Sequence, residues 1–339
     1  MTTQAQPQAD PQLIWQAMTG YQVSAAYKTA VELELFTKVA EGNTTTVRLA
    51  EATGAAERGI RILADSMTVI GFLDKKEGEY SLTEVSATFL NKHLPSYLGG
   101  AVEFIMSDGQ RRGFDDLTNA VRYGGSQVRG DASMDPNSEM WVTFAKAMMP
   151  LMYPAAQGLA ANVGFEKDRE IKVLDIAAGH GLFGIAVAQH YPNAQIHAVD
   201  WYNVLDVAKD NAERMGVGDR YNVIPGSAFE VEFGSGYDVA LVTNFLHHFD
   251  AETCTSFLKK VHDSLDPGGK AITLEFIPND DRVSPPGEAM FALVMLAATP
   301  AGDAYTFAEL RGMLEKAGFA QNEHVPLPPM PQHLVISTK

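Results

Sequence analysis

One stretch, VLDIAAGHGLFGIAVAQHYPNAQIHAVDW at residues 173–201, limits the fold more than any other part of the chain. A short apolar run ends in Gly179-x-Gly181-x-x-Gly184, an amphipathic segment follows, and Asp200 closes a second apolar run. Strand, tight glycine turn, helix and strand make a βαβ unit whose first turn faces a nucleoside-bearing ligand. The spacing alone does not say which nucleoside. A lone glycine fingerprint is weak evidence, and its neighbours must decide.

The same texture continues from Ile171 to the end. KVLDIA, QIHAVD, YNVIPG, YDVALVTNF and KAITLEF read as strands separated by amphipathic helices or turns, which implies a mostly parallel sheet covered on both faces. After the helix FAELRGMLEKAG, the segments NEHVPLP and QHLVISTK follow without a helix between them and predict an antiparallel hairpin closing the sheet. The front half differs. Residues 13–36 read as helix, and residues 47–73 as helix, turn at Gly54 and second helix. GFLDKKEGEYSLT then reads as a hairpin turning at 75–79, a winged-helix order. Residues 99–159 are helical and rich in Met and aromatic residues, interrupted by the loop YGGSQVRGDASMDPNSE. The expected organisation is a disordered tail (1–12), a winged-helix domain (13–98), a helical linker with an acceptor-pocket segment (99–162) and a ligand-binding α/β domain (163–339).

Composition narrows the function. A net charge of −16 disfavours a large nucleic-acid surface and binding to anionic membranes. The single Cys254 excludes an intrachain disulfide framework and a Cys-rich zinc site. The polar start MTTQAQPQADPQ has no secretory h-region, and the longest apolar run, AMFALVMLAA, is about half a membrane span. A cytoplasmic protein without nucleic-acid or membrane partners is expected.

Asp175 lies inside the first strand, four residues before Gly179. A pyrophosphate needs backbone amides and no nearby carboxylate, so Asp175 argues against a nicotinamide dinucleotide. It suits a cationic ligand without phosphate, and S-adenosylmethionine carries a sulfonium and an ammonium. Gly179 and Gly181 permit close backbone approach, and Asp200 accepts from both ribose hydroxyls. The plainer alternatives are that Asp175 anchors the turn and Asp200 caps the next helix. Downstream, NFLHHFD puts His247 at the end of the fourth strand, before a helix capped by Asp250. A neutral imidazole there suits proton removal from a substrate hydroxyl; a buried, satisfied histidine is the alternative. Adjacent histidines on a strand point apart and no third ligand has suitable spacing, so no metal is expected.

VLDIAAGHG, AVDW, NFLHHFD, LDPGGK and LEKAGF together resemble class I S-adenosylmethionine-dependent methyltransferases. With the winged-helix front, residues 13–339 resemble the small-molecule O-methyltransferases that include caffeate, acetylserotonin and polyketide enzymes. The resemblance implies a Rossmann-like seven-stranded sheet with an antiparallel last strand, preceded by a helical domain that forms a homodimer. It implies cofactor contacts from Asp175, Gly179, Gly181, Asp200, Trp201, Ser227, Ala228, Phe229 and Asn244. His247 matches the family's base, with His248 in place of an Asp, and Glu275 matches the carboxylate that orients it. Three departures stand out. Ala177 and Ala178 replace glycines, Ser227 replaces an Asp, and a second orienting carboxylate falls on Ala304, with Asp303 one residue away.

Trp141, Phe144, Met148 and Met152, facing Met290, Phe291 and Met295, with His248, suit a planar apolar acceptor; core packing is the alternative for such stripes. Arg111 and Arg112 read as a solvated helix end, or as carriers of an acceptor carboxylate. Hydroxyl methylation of a small aromatic or polyketide-like metabolite leads. C-methylation on the same fold, a relative that binds the cofactor without transferring methyl, a DNA-binding regulator and a nicotinamide oxidoreductase are the other readings. The regulator rests on Arg58 and Arg61 of the second helix, which also carries Glu57 and Asp65.

Overall fold

The computed structural model describes residues 10–128 and 138–339. The calls on the tail before residue 10 and on the middle of the 123–139 loop lie outside them. The chain forms two compact units that divide between Val102 and Glu103.

In the first unit, helices Gln12–Glu32, Leu35–Ala40, Thr46–Thr53 and Glu57–Ile70 precede strands β1 (Leu73–Lys76) and β2 (Glu79–Leu82) and the helix Glu84–Phe89. Thr45 caps the third helix by accepting from the Arg48 N–H, and Gly54 ends it with φ +66°. The helix, turn, helix, hairpin order is therefore present. Leu35, Phe36, Leu49, Ile60, Met67, Leu73 and Tyr80 form one core. Asp65 takes Arg61 at 3.0 Å, Lys75 at 2.5 Å and the Tyr80 hydroxyl at 2.7 Å. Arg61, one of the two arginines a DNA-binding face would use, and Lys75 of the hairpin are thus paired with a local carboxylate.

The second unit carries strands β3 (Ile171–Ile176), β4 (Ala194–Asp200), β5 (Tyr221–Pro225), β6 (Tyr237–Thr243), β7 (Leu265–Phe276), β8 (Gln321–Pro326) and β9 (Gln332–Thr338). They form one sheet in the order β5-β4-β3-β6-β7-β9-β8. β3 to β7 are parallel, and β9 enters between β7 and β8 antiparallel to both. Alternation along β3 sends Val173 into one core and Leu174 and Ile176 into the other, all of them buried. Helices Met149–Ala161, Leu182–His190 and Tyr202–Arg214 cover the first face, and Ala251–Ser264 and Phe307–Ala317 the second. The helices between Glu103 and the sheet cluster with this unit. β7 starts five residues earlier than KAITLEF suggests; a register shift against β6 at Tyr237/Val239 absorbs the Pro267–Gly268 segment. Among the described residues no helix is long and apolar enough to cross a membrane.

Candidate active site

The parallel strands end along one edge, where the glycine turn, the loop after β5, Asn244 and His247 meet. Gly179 (φ +56°) and Gly181 (φ +76°) hold the turn in left-handed backbone. A Cβ on Gly181 would stand 2.7 Å from the Tyr221 hydroxyl. Asp200 braces the turn: one carboxylate oxygen accepts from the Gly179 N–H (2.8 Å) and the other from the Trp201 N–H (2.7 Å). Each oxygen keeps capacity for one further donor. Enclosure raises the Asp200 pKa to about 6 against the pull of those two bonds.

Within the turn, His180 is buried and its Nδ1 accepts from the Leu182 N–H at 3.2 Å. Burial lowers its pKa to about 4, so the ring is neutral. It stacks on Phe144 at 6.3 Å.

β6 ends at Thr243, and Asn244 turns the chain with φ +51°. A short 3₁₀ turn then presents His247, which is 5% exposed. Its Nδ1 lies 2.5 Å from Glu275 Oε2, while Glu275 Oε1 accepts from the Phe245 and Leu246 N–H groups at 3.0 and 2.8 Å. A carboxylate only accepts, so Nδ1 carries the proton and the lone pair of the neutral ring resides on Nε2. His248 packs 4.4 Å from His247, its Nδ1 is buried without a partner, and burial and His247 depress its pKa far below the ordinary range.

Rings line this edge. Phe104 and Trp141 pack edge-on to Phe144 at 5.0 and 5.7 Å, and Trp141 packs edge-on to His248 at 5.5 Å. On the other side Phe291 meets His247 edge-on at 4.9 Å and stacks on Phe276 at 3.9 Å. Asn244 Nδ2 and Gln332 Nε2 both point at the Met152 sulfur, at 3.9 and 3.6 Å.

The donor set suits a cationic nucleoside ligand and not a pyrophosphate. Asp200 brings a carboxylate to the turn, and among the described residues no lysine or arginine hydrogen-bonds it. Residues 138–320, more than half of the chain, match the model of the O-methyltransferase domain. The chain belongs to the O-methyltransferase family. Residues 15–92 of this O-methyltransferase also match the O-methyltransferase dimerisation domain. It is 47% identical, with a TM-score of 0.93, to a solved Nostoc punctiforme PCC 73102 protein assigned provisionally as an O-methyltransferase, covering 98% of this chain and 100% of that one. It is 27% identical to the 3-hydroxy-5-methyl-1-naphthoate 3-O-methyltransferase of Streptomyces sahachiroi, over 92% of this chain and 90% of that protein. An L-tyrosine C(3)-methyltransferase of Streptomyces lavendulae is also 27% identical, over 91% and 88%.

Several expected residues of this O-methyltransferase sit elsewhere than the sequence suggests. Asp175 is wholly buried beneath the helix Leu182–His190, where Oδ2 accepts from the Gly184 N–H at 3.0 Å. It anchors the turn from below, the plainer of its two expected roles. Burial and nearby Asp200 raise its pKa to about 7. Gly184 is the matching concession: a Cβ there would lie 2.6 Å from Asp175 Oδ2. Asp303 does not orient His247. Its carboxylate meets Arg282 at 3.2 Å, and only its backbone N–H reaches the His247 carbonyl, at 3.0 Å. Met290 is 60% exposed, because the helix Pro286–Ala298 turns Phe291 and the buried Met295 inward and Met290 away. Arg111 pairs with Asp108 on the surface at 3.9 Å, the solvated helix end. Ser227, buried, accepts from the Phe229 N–H at 3.3 Å, and Phe229 packs on Phe245, Phe249 and Phe257. Met148 packs against the first core and Met152 belongs to it.

Sequence reasoning missed Phe276 and Gln332. Both depend on the β7–β9 register, which pairs them directly.

Proposed function

We propose that this protein transfers a methyl group from S-adenosylmethionine to a hydroxyl of a small, planar aromatic or polyketide-like metabolite, with His247 as general base. The carrying observation is the His247–Glu275 pair at the strand edge. When bound, the cofactor supplies an electrophilic methyl on a sulfonium. Asp200 accepts from the ribose hydroxyls; the Gly179–Gly181 turn, Trp201 and Asn244 border the chain of the cofactor, and Ser227, Ala228 and Phe229 border its base. His247 Nε2 takes the acceptor's hydroxyl proton, and Glu275 fixes the tautomer and stabilises the charge the ring gains. The rings of Trp141, Phe144 and Phe291, with Met148, Met152, Met295 and His248, hold a flat acceptor and keep water from the reacting oxygen. Alignment of oxygen, carbon and sulfur supplies several kcal/mol of the rate enhancement.

The relatives support this reading by name: one is a 3-O-methyltransferase of a hydroxynaphthoate, the other a C(3)-methyltransferase of L-tyrosine. C-methylation is therefore the second reading, since a phenol deprotonated by His247 carries charge on its ortho carbon too. The N-terminal domain pairs two copies in this proposal. Support comes from the dimerisation-domain match and from Leu13, Trp15 and Tyr21, 75%, 65% and 71% exposed on the first helix. The buried thiol of Cys254 fits a reducing, cytoplasmic setting.

The test supplies methyl-labelled cofactor and a metabolite set to wild type and His247→Ala. Label on oxygen in wild-type product alone is expected; label on carbon selects the second reading. Acceptor consumed with no label in any product would reject methyl transfer.

A further inference from the structure

Lys260 stands on the helix Ala251–Ser264, which follows the His247 turn and is fixed in the second core by Phe257, Leu258 and Val261. Its ammonium donates to three backbone carbonyls of the loop after β5: Ala228 at 3.0 Å, Phe229 at 3.0 Å and Val231 at 2.7 Å. It also rests 4.3 Å from the centre of the Phe233 ring. All three N–H groups of the ammonium are thereby used, and among the described residues no carboxylate hydrogen-bonds it. An ammonium whose hydrogen bonds all go to main-chain oxygens fixes a backbone path.

That path carries Ser227, Ala228 and Phe229. It begins at Gly226 (φ +135°), where a Cβ would lie 2.6 Å from Val231 Cγ1, so the loop folds back tightly on itself. Where Ser227 stands in place of a carboxylate, the polar groups offered to a base are a short hydroxyl and main-chain N–H and C=O groups. Such groups lack the reach of an Asp side chain. A displacement of a few tenths of an ångström moves them out of hydrogen-bond geometry.

We propose that Lys260 is a positioning residue for base recognition, clamping residues 228–231 so that the loop discriminates the adenine ring of the cofactor. The proposal rests on the S-adenosylmethionine reading. Lys260 does not touch the ligand; it acts through the carbonyls it holds. Lysine suits the task because its three donors diverge, whereas a planar guanidinium presents its donors in a fork.

The experiment compares Lys260→Met and Lys260→Gln with wild type, and with Lys259→Met as control. Lys259 is the neighbouring exposed lysine, paired with Asp263 on the surface. Methionine preserves the stem packing and removes charge and donors; glutamine keeps two donors without the charge, so at least one variant should fold. Calorimetry measures affinity for S-adenosylhomocysteine and for its hypoxanthine analogue, S-inosylhomocysteine, and kinetics gives KM for cofactor and acceptor. Lys260→Met is expected to lose tenfold or more in S-adenosylhomocysteine affinity, Lys260→Gln less. In both, the preference for adenine over hypoxanthine falls towards one while the acceptor KM stays within twofold. Lys259→Met should match wild type. Adenine preference unchanged in both Lys260 variants overturns the proposal, because a merely structural lysine would weaken both ligands alike. A wild-type chain that binds neither ligand removes the S-adenosylmethionine reading itself, a result separable from the first.

Discussion

Glu275 holds the ring of His247 with one carboxylate oxygen and the backbone of Phe245 and Leu246 with the other. One side chain on β7 thus fixes both the imidazole and the turn that carries it. His247→Ala removes the proposed base and should lower kcat by about 10²–10⁴-fold, with cofactor affinity within a few-fold of wild type. Glu275→Gln offers one accepting oxygen where three donors converge. It should lower kcat and also cost about 1–3 kcal/mol of stability, because a buried donor loses its partner. Steady-state kinetics with chemical denaturation checks both; a fully active His247→Ala ends the base assignment.

Asp200 has a pKa raised to about 6, and only its anion has lone pairs left for two hydroxyl donors after serving Gly179 and Trp201. Below pH 6 the free protein holds a proton there that cofactor binding must expel. Affinity for S-adenosylhomocysteine should therefore fall as pH drops from 7.5 to 5.5, with proton release on binding. Asp200→Asn should bind more than about tenfold weaker at pH 7.5, as lost bonds to a charged group cost about 1.5–3 kcal/mol. It should also lose most of the pH dependence. Calorimetry in buffers of different ionisation enthalpy separates these outcomes.

The sheet was legible because two periods alternate along the chain: buried strands such as IKVLDI, then amphipathic helices, with glycines where the backbone turns left-handed. The pairing of His247 with Glu275 was legible because both fall at strand ends on the same edge. Asp175 was misplaced although a signal existed. It shares strand parity with Val173, the side covered by the glycine-bearing helix, so its carboxylate had to go under that helix. Met290 was misplaced for a similar reason, one position and about 100° around a helix from Phe291. Asp303 could not have been placed, because its direction depends on Arg282, 21 residues away in a different loop. Gln332 and Phe276 needed the β7–β9 register, which no local pattern contains.

Asp175 carries a stability cost with a definite sign. Its folded-state pKa of about 7 lies above the ordinary 3.8, so between those values the folded chain keeps a proton that the unfolded chain has released. Stability therefore falls as pH rises from about 4 to about 7, by on the order of 4 kcal/mol, and the loss is complete above that range. Asp175→Asn keeps an oxygen for the Gly184 N–H and has nothing to titrate. Its unfolding free energy should exceed that of wild type at pH 8, and the contribution from this site between pH 4 and 7 should vanish. Gly184→Ala meets the same carboxylate from the other side. With Asp175 Oδ2 at 2.6 Å and Ile196 Cγ2 at 2.8 Å from the new methyl, it should destabilise by about 1–3 kcal/mol. Urea titrations across pH measure all three proteins; a stable Gly184→Ala would show that the helix can lift off β3.

Phe291 and Met290 offer a paired test of the acceptor wall. Phe291 touches His247 edge-on and stacks on Phe276, while Met290, its neighbour, is mostly in solvent. Phe291→Ala removes a ring that packs on His247 and, in the proposed function, bounds the acceptor, so acceptor KM should rise at least tenfold, with kcat falling as the imidazole gains freedom. Cofactor KM should stay within about twofold, since the residues proposed to border the base of the cofactor, Ser227 to Phe229, follow β5, across β6 in the sheet from Phe276 on β7. Met290→Ala should leave all three constants near wild type, because surface substitutions away from special features cost within about 0.5 kcal/mol. Equal losses in the two variants would mean that Met290 is covered when substrate binds or copies pair, and that the whole helix Pro286–Ala298, not its inner face alone, closes over the acceptor.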